Sequence, residues 1–473
     1  MMDFLHGRAA ELSKLDRCVQ SARNGDPQLV VLFGRRRVGK TFLLHHALAR
    51  LSPGESAYHA CSYLSVNDEL ASLWNEMRAS GRVGPEEPAP KDLDSFLAKA
   101  AELAKEQLLV VALDEFPYLI QTSKRIPAAV QRFWDRLQST NQRTKLVIVL
   151  TGSAVSTMSK VIASGGPLFE RPTLLIRLDP FDLPTSASFL GITLDSSPSE
   201  LRAVVEARAA CGGYPLILRK WNIDLPGTEN LRLLATDPLA PLVTMSSVLL
   251  LDLPDDRGLR ATLGAIGRGF HKQSDIQNLT DQRVDAAISI LEGGGFVLPH
   301  VSAGEKAAKG ASRKVFRIAD AHLRFYFAMI EPYRQLIEAG QGTAVLSASN
   351  ERWVSVVAQT FEADVRASAV RMVSDGRLPE GLLIDEWWTD RPTQAQLDVV
   401  AIDGASGEWR FAGEAKWTNR FSGHELRAFE KNLAAAGNRA LNVRRAIWVG
   451  DRSVVDLPIG RETQIFDTRD LLS

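Results

Sequence analysis

Three stretches in the first third of the chain are apolar without alternation: QLVVLF (28–33), QLLVVALDE (107–115) and KLVIVLTGS (145–153). Runs this short, continuous and rich in β-branched residues fit strands buried on both faces of a parallel sheet. Between them lie KTFLLHHALARL (40–51) and IPAAVQRFWDRLQST (126–140), with apolar positions at helical spacing. Strand and helix in alternation predict a doubly wound α/β unit over residues 1–185. From about residue 190 the pattern turns helical. SPSELRAVVEARAACGGYPLILRKW reads as helix, glycine break and helix, a small helical lid over 186–240.

RGLRATLGAIGRGF, QSDIQNL and TDQRVDAAISILEGG then read as three short helices, and GFVLPHV and KVFRIAD as strands flanking AGEKAAKGAS. Three helices and a hairpin wing predict a winged helix over 241–340. FYFAMIEPYRQLIEAG predicts one further helix, with Phe325, Tyr326 and Phe327 as core, and GQGTAVLSASN reads as a linker. Residues 345–473 start another pattern: the helix RWVSVVAQTFEADVRASAVRM, strands QLDVVAID and WRFAGEAKW, the amphipathic helix HELRAFEKNLAAAG and the strand RRAIWVG.

Residues 34–41, GRRRVGKT, stand directly between a predicted strand and a predicted helix. In the pattern G-x-x-x-x-G-K-[ST], glycines let backbone amides turn onto phosphate oxygens, and the helix N-terminus adds positive potential. Lys40 then reaches the β- and γ-phosphates and the Thr41 hydroxyl ligates magnesium. The contact stretch is Gly34, Arg35, Arg36, Arg37, Val38, Gly39, Lys40, Thr41 and Phe42, and the ligands it predicts are ATP and Mg2+. Asp114 and Glu115 end a buried strand, where open α/β sheets bind ligands. Asp114 fits the magnesium-side carboxylate and Glu115 the group that orients or activates water. Ser153, with Thr151, ends another strand and is a candidate γ-phosphate sensor; Arg171 is a candidate γ-phosphate sensor or arginine finger.

Asp398, Glu414 and Lys416 suggest a second metal site. With Asp403 paired to Trp409 in a hairpin, Asp398 lies opposite Glu414. Two carboxylates facing each other across strands repel unless a cation sits between them. Glu414 and Lys416 share one face, so Lys416 can steady developing negative charge, and Glu362 in the preceding helix can supply a further carboxylate. A register slip of one residue would separate the two acids.

Composition narrows the partners. The 473 residues suggest about three domains. Lys+Arg and Asp+Glu both total 56, so bulk charge gives no support for polyanion binding. The expected recognition helix carries Asp281, Asp285 and Glu292 against Arg283, a poor match to phosphate, whereas Lys306, Lys309, Arg313 and Lys314 in the wing could touch a DNA backbone. Cys18, Cys61 and Cys211 show no disulfide or zinc spacing. No apolar run approaches the ~18 residues of a membrane span, and the N-terminus has no signal-peptide core, so a cytoplasmic protein is expected.

Taken together, these segments resemble the archaeal-type P-loop ATPases of the STAND/AAA-like group, which carry a C-terminal domain of unknown function similar to a PD-(D/E)xK nuclease. FLHGRAAELSKL, GRRRVGKT, LDEF and LTGSAVS are similar to its opening, P-loop, Walker B and sensor segments. GGYPLIL resembles its G-G-x-P element, which implies nucleotide contact at Pro215. FRIADAHLRFYF, QLDVVAID and GEAKW resemble later segments. Ala415 stands where many relatives have Cys, and Ala321 where Pro is usual. The resemblance implies an ATPase joined to a magnesium-dependent nuclease-like domain acting on DNA, with Glu115 and Lys416 as catalytic groups. The alternative is a nucleotide-controlled switch that binds a protein partner and has a silent terminal domain. Relatives of this type assemble, so a homo-oligomer is also compatible.

Overall fold

The computed structural model describes residues 5–140, 142–254, 256–303, 314–390, 394–456, 460 and 462–473. They divide into two compact units, residues 1–180 and 181–473.

The first unit is a five-stranded sheet in the order β2-β3-β4-β1-β5. Its strands are β1 (Gln28–Phe33), β2 (Ser56–Ala60), β3 (Leu109–Asp114), β4 (Leu146–Gly152) and β5 (Leu174–Arg177). Every pairing is parallel. The three continuous apolar runs became β1, β3 and β4, and every residue in them is buried. Side chains of that sheet such as Val31, Val111 and Ile148 share a core with Trp74, Phe96 and Phe133 from the surrounding helices. Edge strands β2 and β5 escaped the sequence reading because SAYHA and LLIR are short and only partly buried.

The second unit begins with helices, among them Pro198–Cys211 and Pro215–Leu218, separated by Gly212 in the left-handed conformation. Helices Arg257–Gly267, Gln273–Thr280 and Asp285–Gly293 follow, then the antiparallel hairpin β6 (Val297–His300) and β7 (Val315–Ile318). The helix expected to carry Asp281 and Arg283 starts only at Asp285, because Asp281 takes a left-handed conformation (φ 50°) that ends the helix before it. Of the wing cations, Lys306, Lys309 and Arg313 lie outside the described residues, and Lys314 is exposed.

Two more expectations need correction. The single helix over 325–340 is broken into a π-type turn at Tyr326–Ile330, a tight turn at Glu331–Tyr333 and a short helix at Arg334–Glu338; Pro332 removes an amide from the ladder there. Phe325, Tyr326 and Phe327 are buried core side chains. GQGTAVLSASN, which reads as a linker, holds the helix Gly342–Ser347, packed so closely that a Cβ on Gly342 would lie 2.2 Å from the Thr236 carbonyl oxygen.

The chain ends in a second five-stranded sheet, β12-β11-β10-β9-β8, made of β8 (Leu382–Thr389), β9 (Ala395–Asp403), β10 (Trp409–Lys416), β11 (Arg444–Val449) and β12 (Thr463–Phe466). β8, β9 and β10 run antiparallel, while β10, β11 and β12 run parallel. The amphipathic helix Gly423–Ala435 adds Phe429 and Leu433 to a core with Leu397, Val400, Ala412 and Ile447. The long helix Asn350–Ser374 packs against β8, β9 and β10.

Candidate functional site

Gly34 leaves the end of β1 where the backbone is crowded: a Cβ there would sit 2.1 Å from the Leu178 carbonyl oxygen. Two further residues turn the loop through left-handed conformations, Arg37 at φ 67° and Gly39 at φ 100°. Gly39 caps the helix Lys40–Leu48 without a side-chain bond, so its first amides point into the loop, where an anion is favoured. Lys40 is 4% exposed, and its ammonium donates to the carbonyls of Gly34 (2.9 Å) and Arg35 (3.0 Å) and to Ser153 Oγ (2.9 Å).

The carboxylates at the end of β3 face this lysine loop. Thr41 Oγ1 donates to Asp114 Oδ2 at 2.7 Å, pairing a hydroxyl and a carboxylate, both hard oxygen ligands that fit magnesium. Thr151 Oγ1 donates to Asp114 Oδ1. Glu115 takes a left-handed conformation (φ 54°), unusual for a residue with a Cβ and worth about 1–2 kcal/mol of strain. Its carboxylate there accepts the Ser153 amide at 3.1 Å and the Ser153 hydroxyl. Lys40, Ser153 and Glu115 thus form a connected chain from the GRRRVGKT loop to the second carboxylate after β3.

The remaining predicted residues vary. Val38 is buried and Phe42 is 45% exposed. Arg36 donates to Tyr118 OH at 3.0 Å. Arg171 lies on Asp135 in a two-pronged ion pair (2.8 and 2.9 Å), so the proposed phosphate sensor is held by a surface carboxylate here. Pro215 opens a short helix in the second unit. Three side chains escaped notice: Arg8, which donates to the Asp179 carbonyl at 2.6 Å; Tyr118; and Tyr58, whose hydroxyl donates to Asp114 Oδ2 at 3.0 Å. Arg8 lies in the opening G-R-x-x-E segment and was within reach of the sequence reading; Tyr58 lies on the unpredicted strand β2.

In the terminal sheet Trp409 pairs with Ile402, not Asp403, and a bulge at Arg410 resets the register so that Phe411, Ala412 and Gly413 face Ala401, Val400 and Val399. Continued by one residue, that register brings Asp398 opposite Glu414, and the Ala415 amide donates to Asp398 Oδ2 at 3.0 Å. Lys416 Nζ lies 2.6 Å from Glu414 Oε1. Glu414 Oε2 is buried and has no hydrogen-bond partner among the described residues. Burial, and then Asp398, push the Glu414 carboxyl up to about 7 and that of Glu362 up to about 8; burial also raises Asp398. Among the described residues no group of three His, Cys, Asp or Glu side chains is placed as a ready metal cage. Glu414 is turned onto Lys416, while Asp398 is engaged by the Ala415 amide and by Gln396 Nε2 at 3.1 Å. Asp398 and Glu414 remain an adjacent pair whose unpartnered oxygen suits a cation.

The β6–β7 hairpin reaches this sheet. The Ala303 amide donates to the Glu386 carbonyl at 2.9 Å, and Ser302 Oγ donates to the Trp388 carbonyl at 2.7 Å. Arg317 Nη1 lies 2.8 Å from Glu386 Oε2. That contact is close but misaligned, since neither Glu386 oxygen has a hydrogen-bond partner among the described residues. Arg366 donates to the Asp398 carbonyl at 2.9 Å and lies 3.7 Å from the same Glu386 oxygen.

Residues 5–220 match a family described as "ATPase domain predominantly from Archaea", and residues 326–429 match one described as "Archaea bacterial proteins of unknown function". The chain is 24% identical over 398 residues to an uncharacterized protein of Methanocaldococcus jannaschii, covering 82% of this chain and 83% of that one. Among solved structures it is similar to a Walker-type ATPase of Pyrococcus abyssi, at 21% identity and TM-score 0.49, covering 68% of this chain and 96% of that one. It is also similar to the ORC2 protein of Aeropyrum pernix, at 15% identity and TM-score 0.44, covering 74% and 98%. The GRRRVGKT loop and the strand-end carboxylates lie within residues 5–220, the span that matches the ATPase-domain family. The family over 326–429 carries no activity in its description. No helix among the described residues is long and apolar enough to cross a membrane.

Proposed function

We propose that the first unit binds ATP with magnesium and hydrolyses the γ-phosphate, with Gly34 to Phe42 as the phosphate loop. The observation that carries this reading is the chain Lys40–Ser153–Glu115 beside the Thr41–Asp114 pair, all at the carboxyl ends of parallel strands. Lys40 leaves the loop carbonyls for phosphate oxygens, and the loop amides hold the remaining charge. Thr41 and Asp114 would hold magnesium, which would supply neutralisation of phosphate charge. Glu115, aimed by its own turn and by Ser153, orients the attacking water and takes its proton. Arg171, released from Asp135, would be a further nucleotide contact. Titration calorimetry tests the reading: Lys40→Ala should lose ATP binding, and unaltered affinity in that variant would refute it.

The terminal sheet supports a second activity, magnesium-dependent cleavage of a phosphodiester in DNA. What favours it is the unpartnered buried oxygen of Glu414 beside Asp398, with Lys416 adjoining. Asp398 and Glu414 would hold the metal, Glu362 would stand behind them, and Lys416 would steady the pentacovalent charge. The three helices and hairpin before it suit a winged helix that presents this centre. Cutting of single- or double-stranded DNA that needs magnesium and disappears in Lys416→Ala is the expected result. No cutting by the unaltered chain with ATP present would favour the alternative of a nucleotide-controlled switch for a protein partner.

A further inference from the structure

Asp114 is surrounded by donors. Its Oδ2 accepts Thr41 Oγ1 at 2.7 Å and Tyr58 OH at 3.0 Å. Its Oδ1 accepts the Glu115 amide at 3.0 Å and the Thr151 hydroxyl. An ionised carboxylate offers about four lone-pair positions, and four protein donors fill them. A magnesium ion needs at least one of these positions, directly or through a bound water.

The four donors are not equally able to yield. The Glu115 amide is fixed by the backbone, and Thr151 is fully buried in β4. Thr41 need not leave, because a hydroxyl can give a lone pair to a cation while still donating its proton to Oδ2. Tyr58 is the remaining donor. It stands on edge strand β2, is partly exposed, and has no backbone tie at its hydroxyl. Its ring rests on His45, with centroids 4.4 Å apart, and His45 belongs to the same helix that presents Lys40 and Thr41.

We propose that Tyr58 is a positioning residue that competes with magnesium for Oδ2 of Asp114, and so sets how much magnesium the nucleotide site requires. The inference rests on the ATP–magnesium reading of the first unit. When the metal enters, the phenol gives up its bond to Oδ2 and the vacated position takes metal or metal-bound water. A tyrosine that merely propped Asp114 in place would have the opposite effect when removed, since a loosened carboxylate binds metal less well.

Manganese serves as a spectroscopic stand-in for magnesium. Its binding to the full chain, saturated with a non-hydrolysable ATP analogue, is followed by electron paramagnetic resonance. Tyr58→Phe keeps the ring on His45 and deletes only the hydroxyl; it should bind manganese about fivefold more tightly, as expected for loss of one competing hydrogen bond. The magnesium concentration for half-maximal ATP turnover should fall in parallel. Equal or weaker manganese affinity in Tyr58→Phe overturns the proposal. Should that variant fail to fold by circular dichroism, His45→Leu, which frees the ring, takes its place; tighter manganese binding supports the proposal and unchanged binding overturns it. If the unaltered chain binds neither ATP analogue nor metal, the ATPase reading itself has failed; if it binds both and the variants do not tighten, only the role of Tyr58 has.

Discussion

Ser153 links two groups with opposite tasks: its hydroxyl accepts from Lys40 Nζ at 2.9 Å and donates to the Glu115 carboxylate. A phosphate that draws Lys40 toward itself therefore alters the bonding of the one side chain that also aims Glu115. Orienting partners of this kind are worth about 10- to 100-fold in activity. Ser153→Ala should lower kcat by that order and leave ATP affinity nearly unchanged. A rise in KM with kcat intact would show that Ser153 only helps hold nucleotide.

Glu115 provides a sharper case. Its backbone tolerates a left-handed φ of 54°, and the resulting turn delivers its carboxylate to Ser153. Glu115→Gln keeps size and one of the two acceptor oxygens that Ser153 uses, but cannot take a proton. Turnover should drop by about 10²- to 10⁴-fold, while calorimetry finds ATP bound as before. Undiminished hydrolysis in this variant would move the water-side role to another residue.

The loop can also be tested for folding apart from chemistry. Gly34 has the Leu178 carbonyl 2.1 Å from where a Cβ would be, whereas Gly39 has open space there and a φ of 100°. Gly34→Ala must displace backbone, which should lower stability by about 1–3 kcal/mol. Gly39→Ala pays only the left-handed penalty, about 1–2 kcal/mol. In thermal unfolding both should be destabilised, and the Gly34 variant should not be the milder of the two.

How far the sequence could be read depended on whether each signal was local. The loop and its carboxylates were legible because a glycine pattern and a buried strand end are contiguous in sequence. Asp398 and Glu414 were legible through hairpin register, though the bulge at Arg410 was not, since nothing in EWRF marks one residue as unpaired. Tyr58 was invisible because SAYHA lacks the apolar run of β1, β3 and β4 and becomes a strand only by pairing with β3. The helix at Gly342 shows the converse: its small residues read as a linker, but Gly342 is held where a Cβ would meet the Thr236 carbonyl.

Arg317 and Glu386 join the hairpin to the terminal sheet across a misaligned 2.8 Å contact, with Glu386 only 1% exposed. Removing Arg317 leaves the buried Glu386 with the more distant Arg366, 3.7 Å away, so the cost should approach but not exceed about 3–5 kcal/mol. Arg317→Met should therefore destabilise the second unit strongly, and Arg317→Met with Glu386→Leu should recover most of the loss. A double variant no more stable than the single one in chemical denaturation would mean that shape, not charge, holds the hairpin there.

The crowded acids near Lys416 predict an inverse response to pH. Glu414 and Glu362 are raised to about 7 and about 8, above the ~4.3 of a free glutamate in an unfolded chain. A group that binds its proton more tightly when folded stabilises the fold fully below its unfolded value, and that contribution is lost as pH rises through the folded one. In the absence of divalent metal, stability from these groups should therefore decline between about pH 4.3 and pH 8. Glu414→Gln cannot ionise, so in that variant the decline should be shallower. Magnesium, if it binds between Asp398 and Glu414, replaces the protons and should restore stability most at the alkaline end. Denaturation midpoints measured across this range, with magnesium and with a chelator, read both effects. Midpoints whose pH dependence is the same in Glu414→Gln and the unaltered chain would mean that these carboxyls do not share the buried charge attributed to them.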